Sequence, residues 1–339
     1  MFKIVLHLLV FDFICSMRYN VPHKIKQFFF VLIKLSIVVA AFSFIYSKII
    51  KNDQLEFSSF LSFLKENDVF SFKNIIILMI LSFFNWFFEI FKWRYLVKYI
   101  TSISFTSALE QSLAGLTASL ITPNRIGDYG AKAIYYAKTL RTKIVLLNLL
   151  GNMAQMTITT ILGGIGFLIF INRYPIAVSY YKIVIIGILM LLIGLFVWLA
   201  SKQNRFKIKG FSFASIINFI TSIPLKSHGF NLVFSLTRYL IFSFQLYYLL
   251  LIFGVNISYY DAMVVITSMY LLASIVPSIS IFDVVIKGSV AVFLFSYVGV
   301  NEFIILSTTS LMWLLNFVIP SLFGSYFVLN FKLPKPVAK

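Results

Sequence analysis

The residues able to do chemistry in this chain of 339 residues crowd into one stretch, Ala118 to Lys138, which reads ASLITPNRIGDYGAKAIYYAK. It lies among apolar segments and yet carries Pro123, Asn124, Arg125, Gly127, Asp128, Gly130 and Lys132. Proline has no backbone donor and glycine loosens a helix, so a break is expected over Thr122 to Gly127, with a new helix near Asp128. A carboxylate at that restart suits the positive end of the helix dipole. Asp128 and Lys132, four residues apart, share one helical face. Broken segments with charges beside them are where membrane transporters hold their substrates. The plainer reading of the same residues is a cytoplasmic loop with a capped helix, its Arg and Lys at phospholipid headgroups.

Other polar residues sit inside apolar runs. The run from Ile75 to Phe91 ends in NWFFEIFKWRYLVKYI, where Glu89 shares a face with Asn85 and is followed by Lys92 and Arg94. Glu89 either makes an ion pair at headgroup level or looks into the protein interior. Trp86, Trp93, Tyr95 and Tyr99 are expected as interfacial anchors. Asn148, Asn152, Gln155 and Thr159 follow at helical spacing in the run Ile144 to Ile171, which gives that span one polar face. The preferred reading is a lining that faces the broken stretch, the alternative hydrogen bonding between helices. Arg238 and Gln245 recur on one side of the run Leu232 to Phe253, where Arg238 is expected to snorkel.

The elements that position these residues follow from composition. Hydrophobic residues make up 60% of the chain and charged residues 12%, and apolar runs recur from end to end. The expected fold class is therefore all-α, a polytopic helical membrane protein of about eight membrane segments. Besides the runs already named, spans are expected at Phe28 to Tyr46, Ile183 to Ala200 and Ile304 to Leu329, the last kinked at Pro320 and carrying Asn316. Residues 1–16 read as an upstream extension or weak signal-like segment, and residues 17–339 as a single membrane domain. The net charge of +18 clusters between spans, so the expected partners are anionic lipid headgroups rather than nucleic acid, and both termini read as cytoplasmic. Phe211 to Ile220 reads as an interfacial helix. One cysteine, Cys15, rules out an internal disulfide, and the scattered histidines do not have zinc spacing. No nucleotide loop or nucleophile elbow occurs, and no cofactor is expected; Gly163, Gly164 and Gly166 read as close-packing positions.

A second copy of the broken stretch lies later in the chain. Against ASLITPNRIGDYGAKA stands ASIVPSISIFDVVIKG, so that Ala118, Pro123, Asp128 and Lys132 match Ala273, Pro277, Asp283 and Lys287. Counted from a cytoplasmic start, the first copy enters from the cytoplasmic side and the second from the other. This is the pattern of an inverted repeat, with halves at about 75–200 and 211–330, whose two re-entrant or broken hairpins meet near the midplane.

Through NWxxEIxKW, TPNRIGDYGAKA and the Pro and acid of the second copy, the chain resembles the flippase-like membrane region of bacterial lysylphosphatidylglycerol synthases, also called multiple peptide resistance factors. The resemblance covers most of the chain from Met17 onward. It implies a helical domain with two re-entrant hairpins around a cavity, moving or accommodating a lipid headgroup between leaflets. Two departures stand out: many relatives carry Glu where Asp128 stands, and a glycine-rich turn where this chain has Ser278 to Phe282. The soluble aminoacyl-transferring domain has no counterpart in this sequence, so synthesis of aminoacyl lipid does not carry over.

In this reading Arg125, Lys132 and Lys287 can meet a phosphate. Asp128, Asp283 and Glu89 position those cations or answer a cationic headgroup. Two other classes stay open: an integral-membrane transferase acting on a polyprenyl-linked substrate, with one of those acids as general base, and a non-transporting membrane partner of a separate lipid-modifying enzyme.

Overall fold

The computed structural model describes residues 71–120, 122, 125–174, 207–208, 211–275 and 280–332, with isolated positions at 39, 62 and 64–66; the side chains of 207–216 and 280–286 are not among them. The expected spans at 28–46 and 183–200, the segment 1–16, Pro123, Asn124, Pro277 and the Asp283 side chain thus lie outside the described residues.

The described chain is helical apart from a two-residue antiparallel ladder, β1 (Lys207–Ile208) with β2 (Phe211–Ser212). The helices are α1 (Phe72–Val97), α2 (Phe105–Leu120), α3 (Ile126–Ile134), α4 (Arg141–Arg173), α5 (Phe213–Ser222), α6 (Leu225–Ile252), α7 (Tyr259–Ile275) and α8 (Ser280–Ser296). The last span is α9 (Glu302–Trp313), a π-helical turn (Leu314–Val318) and α10 (Ile319–Asn330) in sequence. Four helical stretches are long and apolar enough to cross a membrane: α1, α4, α6 and the composite Glu302–Asn330. The structure therefore supports four spans among the described residues, short of the eight segments expected.

Local chemistry explains the boundaries. Ser71 caps α1 by accepting from the Asn74 amide at 3.4 Å, and Asn301 caps α9 by accepting from the Phe303 amide at 2.8 Å. Helix α1 continues past the expected end at Phe91, because Glu89 and Lys92 are neutralised inside the fold rather than released to headgroups. The irregularity near Pro320 begins earlier than the proline. Pro320 cannot donate to the carbonyl of Asn316, four residues back. That carbonyl instead accepts the indole N–H of Trp86 at 3.0 Å, while the Ile319 amide reaches back to Leu314 in π register.

Packing runs in matched pairs. Helix α1 lies against α6, α2 against α10, α7 against α4, α3 against α4, and α8 against α9. The consecutive helices α1 and α2, α2 and α3, α6 and α7, and α7 and α8 also touch. The core falls into two main clusters. One joins Trp93, Leu96, Ala108, Ile144 and Leu147 from α1, α2 and α4. The other joins Leu249, Val265, Ile266, Leu294 and Ile305 from α6 to α9. Of the three glycines expected at a close contact, Gly163 and Gly166 press on Thr267 of α7, whereas Gly164 faces open space. The expected interfacial helix is α5, tied to the end of α1 by the Tyr99 hydroxyl donating to the Ser222 carbonyl at 3.0 Å.

Candidate functional site

The break falls where the sequence puts it. Helix α2 stops at Leu120 and α3 begins at Ile126, two residues ahead of the expected restart at Asp128. Arg125 turns the corner with φ of +57°, the left-handed region that non-glycine residues rarely adopt. Thr122 closes the turn by accepting the Gly127 amide at 2.7 Å. Gly127 has no room for a side chain, since a Cβ would meet the Ala118 carbonyl. Helices α2 and α3 thus fold back on one another as a tight hairpin, with Asp128 in the first turn of α3.

Asp128 and Lys132 meet as their spacing requires, at 3.1 Å, and Asn148 of α4 closes the cluster. Its amide nitrogen donates to Asp128 at 2.7 Å, and its oxygen accepts from Lys132 at 2.9 Å. The Lys132 side chain is only 2% exposed and its ammonium lies 4.6 Å from the Trp93 ring centroid. Trp93 donates to Gln111 at 2.8 Å, which also accepts from Tyr136 at 2.7 Å. One turn along α4, Asn152 donates to the Tyr129 hydroxyl at 2.8 Å. The polar face of α4 therefore meets the broken stretch through Asn148 and Asn152. Gln155 does not join it: its side-chain oxygen is buried with no hydrogen-bond partner among the described residues.

Glu89 takes the interior reading. It pairs with Lys92 at 2.9 Å and with Arg238 of α6. Arg238 also donates to the Asn85 carbonyl at 3.1 Å. It is thus an internal ion-pair partner rather than a snorkelling residue. From Asn85 a chain of amides crosses the fold. Asn85 donates to Asn316 at 2.9 Å, Asn316 to Gln245 at 2.9 Å, and Gln245 to Ser82 at 2.8 Å. Trp86 and Trp93 are likewise not the interfacial anchors expected of them, because both indole N–H groups find acceptors inside the protein.

The π-helical turn brings the two hairpins together. Phe317 lies within it, and the Arg125 guanidinium sits 5.0 Å from its ring centroid. Lys287, from α8 of the second hairpin, places its ammonium 5.7 Å from the same centroid. Both cations thus lie against the same ring. Sequence reasoning missed Phe317, Gln111 and Tyr129, and assigned no role to Asn316. The four-residue spacing of Asn316 and Pro320 inside an apolar run is the signal that marks the turn.

No curated protein and no solved structure matches this chain. The family model that does match is the lysylphosphatidylglycerol synthase TM region, over residues 31–324. With that match covering most of the sequence, and with four apolar helices long enough to span a bilayer, the chain is a multi-pass membrane protein that belongs to the lysylphosphatidylglycerol synthase TM region family.

Proposed function

We propose that this protein moves a phospholipid or lipid-linked headgroup between the leaflets of the cytoplasmic membrane, by alternating exposure of a site between the hairpins α2–α3 and α7–α8. The observation that carries this reading is the polar cluster of Asp128, Lys132 and Asn148, built between a broken hairpin and a long apolar span. Charged groups at such a place are costly, and they mark a functional site by default. No covalent step is needed.

The packing pairs support reading the chain as two repeats of about 75–200 and 211–330. Exchanging α1 with α6, α2 with α7, α3 with α8, and α4 with the composite last span turns each principal contact into another. The contact of α2 with α10 becomes that of α7 with α4, and the contact of α1 with α6 maps onto itself. With both termini cytoplasmic, the hairpins enter from opposite faces, as in transporters built from inverted repeats. In this scheme Arg125 and Lys287 meet the headgroup, and Glu89, Asp128, Lys132, Asn148 and Asn152 hold the frame. Gly127 permits the turn, having no room for a side chain against the Ala118 carbonyl.

The test is the leaflet accessibility of a fluorescent phospholipid in vesicles holding the purified protein, with a polyprenyl-linked lipid run alongside. Exchange is expected to be fast with the native chain and lost when Arg125→Ala and Asp128→Asn are combined. Equal, slow exchange in all vesicles would remove the proposal.

A further inference from the structure

Of the four long apolar stretches, α1, α4 and α6 are continuous helices and the last is interrupted. Its two halves keep different company. Helix α9 packs on α8 of the second hairpin, and α10 packs on α2 of the first. The contact with α2 is tight: Thr117 donates to the Ser321 carbonyl at 3.0 Å, and a Cβ on Gly324 would run into the Leu113 carbonyl. Leu306 of α9 in turn lies within van der Waals reach of a Cβ at Gly288 on α8. Between the halves stands the π-helical turn Leu314–Val318, whose register is held from outside. The Asn316 carbonyl accepts from Trp86 of α1 at 3.0 Å, and its side chain bonds Asn85 of α1 and Gln245 of α6, each at 2.9 Å.

We propose that this turn is the hinge of the transport cycle, about which the α8–α9 unit swings against the α2–α10 unit while the α1–α6 pair stays fixed. The inference rests on the translocation proposed above and gives its alternating exposure a place. In π register the Ile319 amide reaches five residues back, to Leu314. Return to α register turns one half against the other by roughly 100° and about 1.5 Å, the step of a single residue. Such a step carries Phe317 away from Arg125 and Lys287, whose cations lie against its ring, so hinge and site move together. Pro320 keeps the two registers close in energy, because it denies the Asn316 carbonyl its ordinary partner in the α form. Helix α4 also touches both hairpins, but its contact with α7 runs over Gly163 and Gly166, a smooth surface on which helices can slide.

The test is the distance between spin labels on the full chain in vesicles, with Cys15 replaced by alanine and cysteines placed at exposed Phe293 of α8 and Tyr326 of α10. Exposed Met79 of α1 and Leu240 of α6 form the reference pair. The Phe293–Tyr326 pair is expected to show two populations of distance and the reference pair one. Pro320→Ala with Trp86→Phe gives the Asn316 carbonyl its α-helical donor and removes the competing one. Deletion of Leu314 takes out the residue that the π turn adds. Either change should leave one population without loss of melting temperature. Lipid exchange should then fall about three- to ten-fold, the population shift that one restored hydrogen bond brings. Should the deletion fail to fold, the substitutions decide. A single Phe293–Tyr326 population in the native chain, or two populations and undiminished exchange in the substituted one, overturns the hinge. Two populations that merge on substitution, in a protein that exchanges no lipid even as the native chain, would leave the hinge standing and count against the translocation reading.

Discussion

Replacing Lys132 by methionine keeps the length and apolar stem of the side chain and removes only its charge. The ammonium it deletes lies 3.1 Å from Asp128 and 2.9 Å from Asn148, over the face of Trp93. Asp128 is left with one amide donor in a place where its side chain is 17% exposed. Stripping a buried ion pair of one partner costs about 3–5 kcal/mol, and the residual exposure of Asp128 puts the expected cost near the lower end. For a chain of 339 residues, an unfolding entropy of about 2.1 cal/mol/K per residue converts 3 kcal/mol into a fall of roughly 4 °C in melting temperature. Thermal unfolding of the purified protein in detergent, followed by circular dichroism, reads this directly. Adding Asp128→Asn to Lys132→Met removes the orphaned charge, and the double variant should recover most of the loss, to within about 1 kcal/mol of the native chain. A single variant as stable as the native protein, or a double variant that falls further than the single, refutes the reasoning.

Three other outcomes follow from the same geometry. Gly115→Ala on α2 would drive its Cβ into the Asp128 carboxylate, whereas nothing lies within 4 Å of a Cβ at Gly130. The first substitution should cost about 1–3 kcal/mol and slow lipid exchange, and Gly130→Ala should be neutral or stabilising by up to about 1 kcal/mol in the same melting assay. Asn316→Leu removes side-chain bonds to Asn85, Gln245 and the Met312 carbonyl. At roughly 0.6–1 kcal/mol each within a membrane protein, about 2 kcal/mol of stability should go. Glu89→Gln leaves Lys92 and Arg238 without their shared carboxylate and should cost about 3–5 kcal/mol, seen as a shortened half-life in detergent; adding Arg238→Leu should restore part of it.

What the sequence made legible was local. The break at Thr122 to Gly127 and the pairing of Asp128 with Lys132 follow from proline, glycine and a four-residue spacing, and the structure has both. The polar stripe on α4 was legible as a stripe, since periodicity declares a face without naming its partner. What the sequence hid was long-range. Arg238 meets Glu89 across 149 residues, and Asn85 meets Asn316 across 231. Near a span end, Arg238 carries the signature of a snorkelling residue, because nothing local separates a cation bound for headgroups from one bound for a distant acid. Trp86 and Trp93 misled for a related reason. An indole wants one acceptor and an apolar bed, and both the membrane interface and a buried polar cluster provide them. The convergence of Arg125 and Lys287 on Phe317 depends on a π-helical turn whose cause, Pro320, was visible while its consequence was not.

The central claim is that a headgroup lodges between the two hairpins, and photo-crosslinking tests it most directly. A phospholipid with a photoreactive group on its headgroup is incorporated into vesicles with the protein, irradiated, and its adducts mapped by mass spectrometry. The account predicts adducts at the start of α3 near Arg125, on α8 near Lys287 and in the turn that carries Phe317, all lost in the Arg125→Ala variant. Adducts confined to the outward aromatic face of α1, around Phe83 and Phe84, and unchanged by that substitution would contradict it.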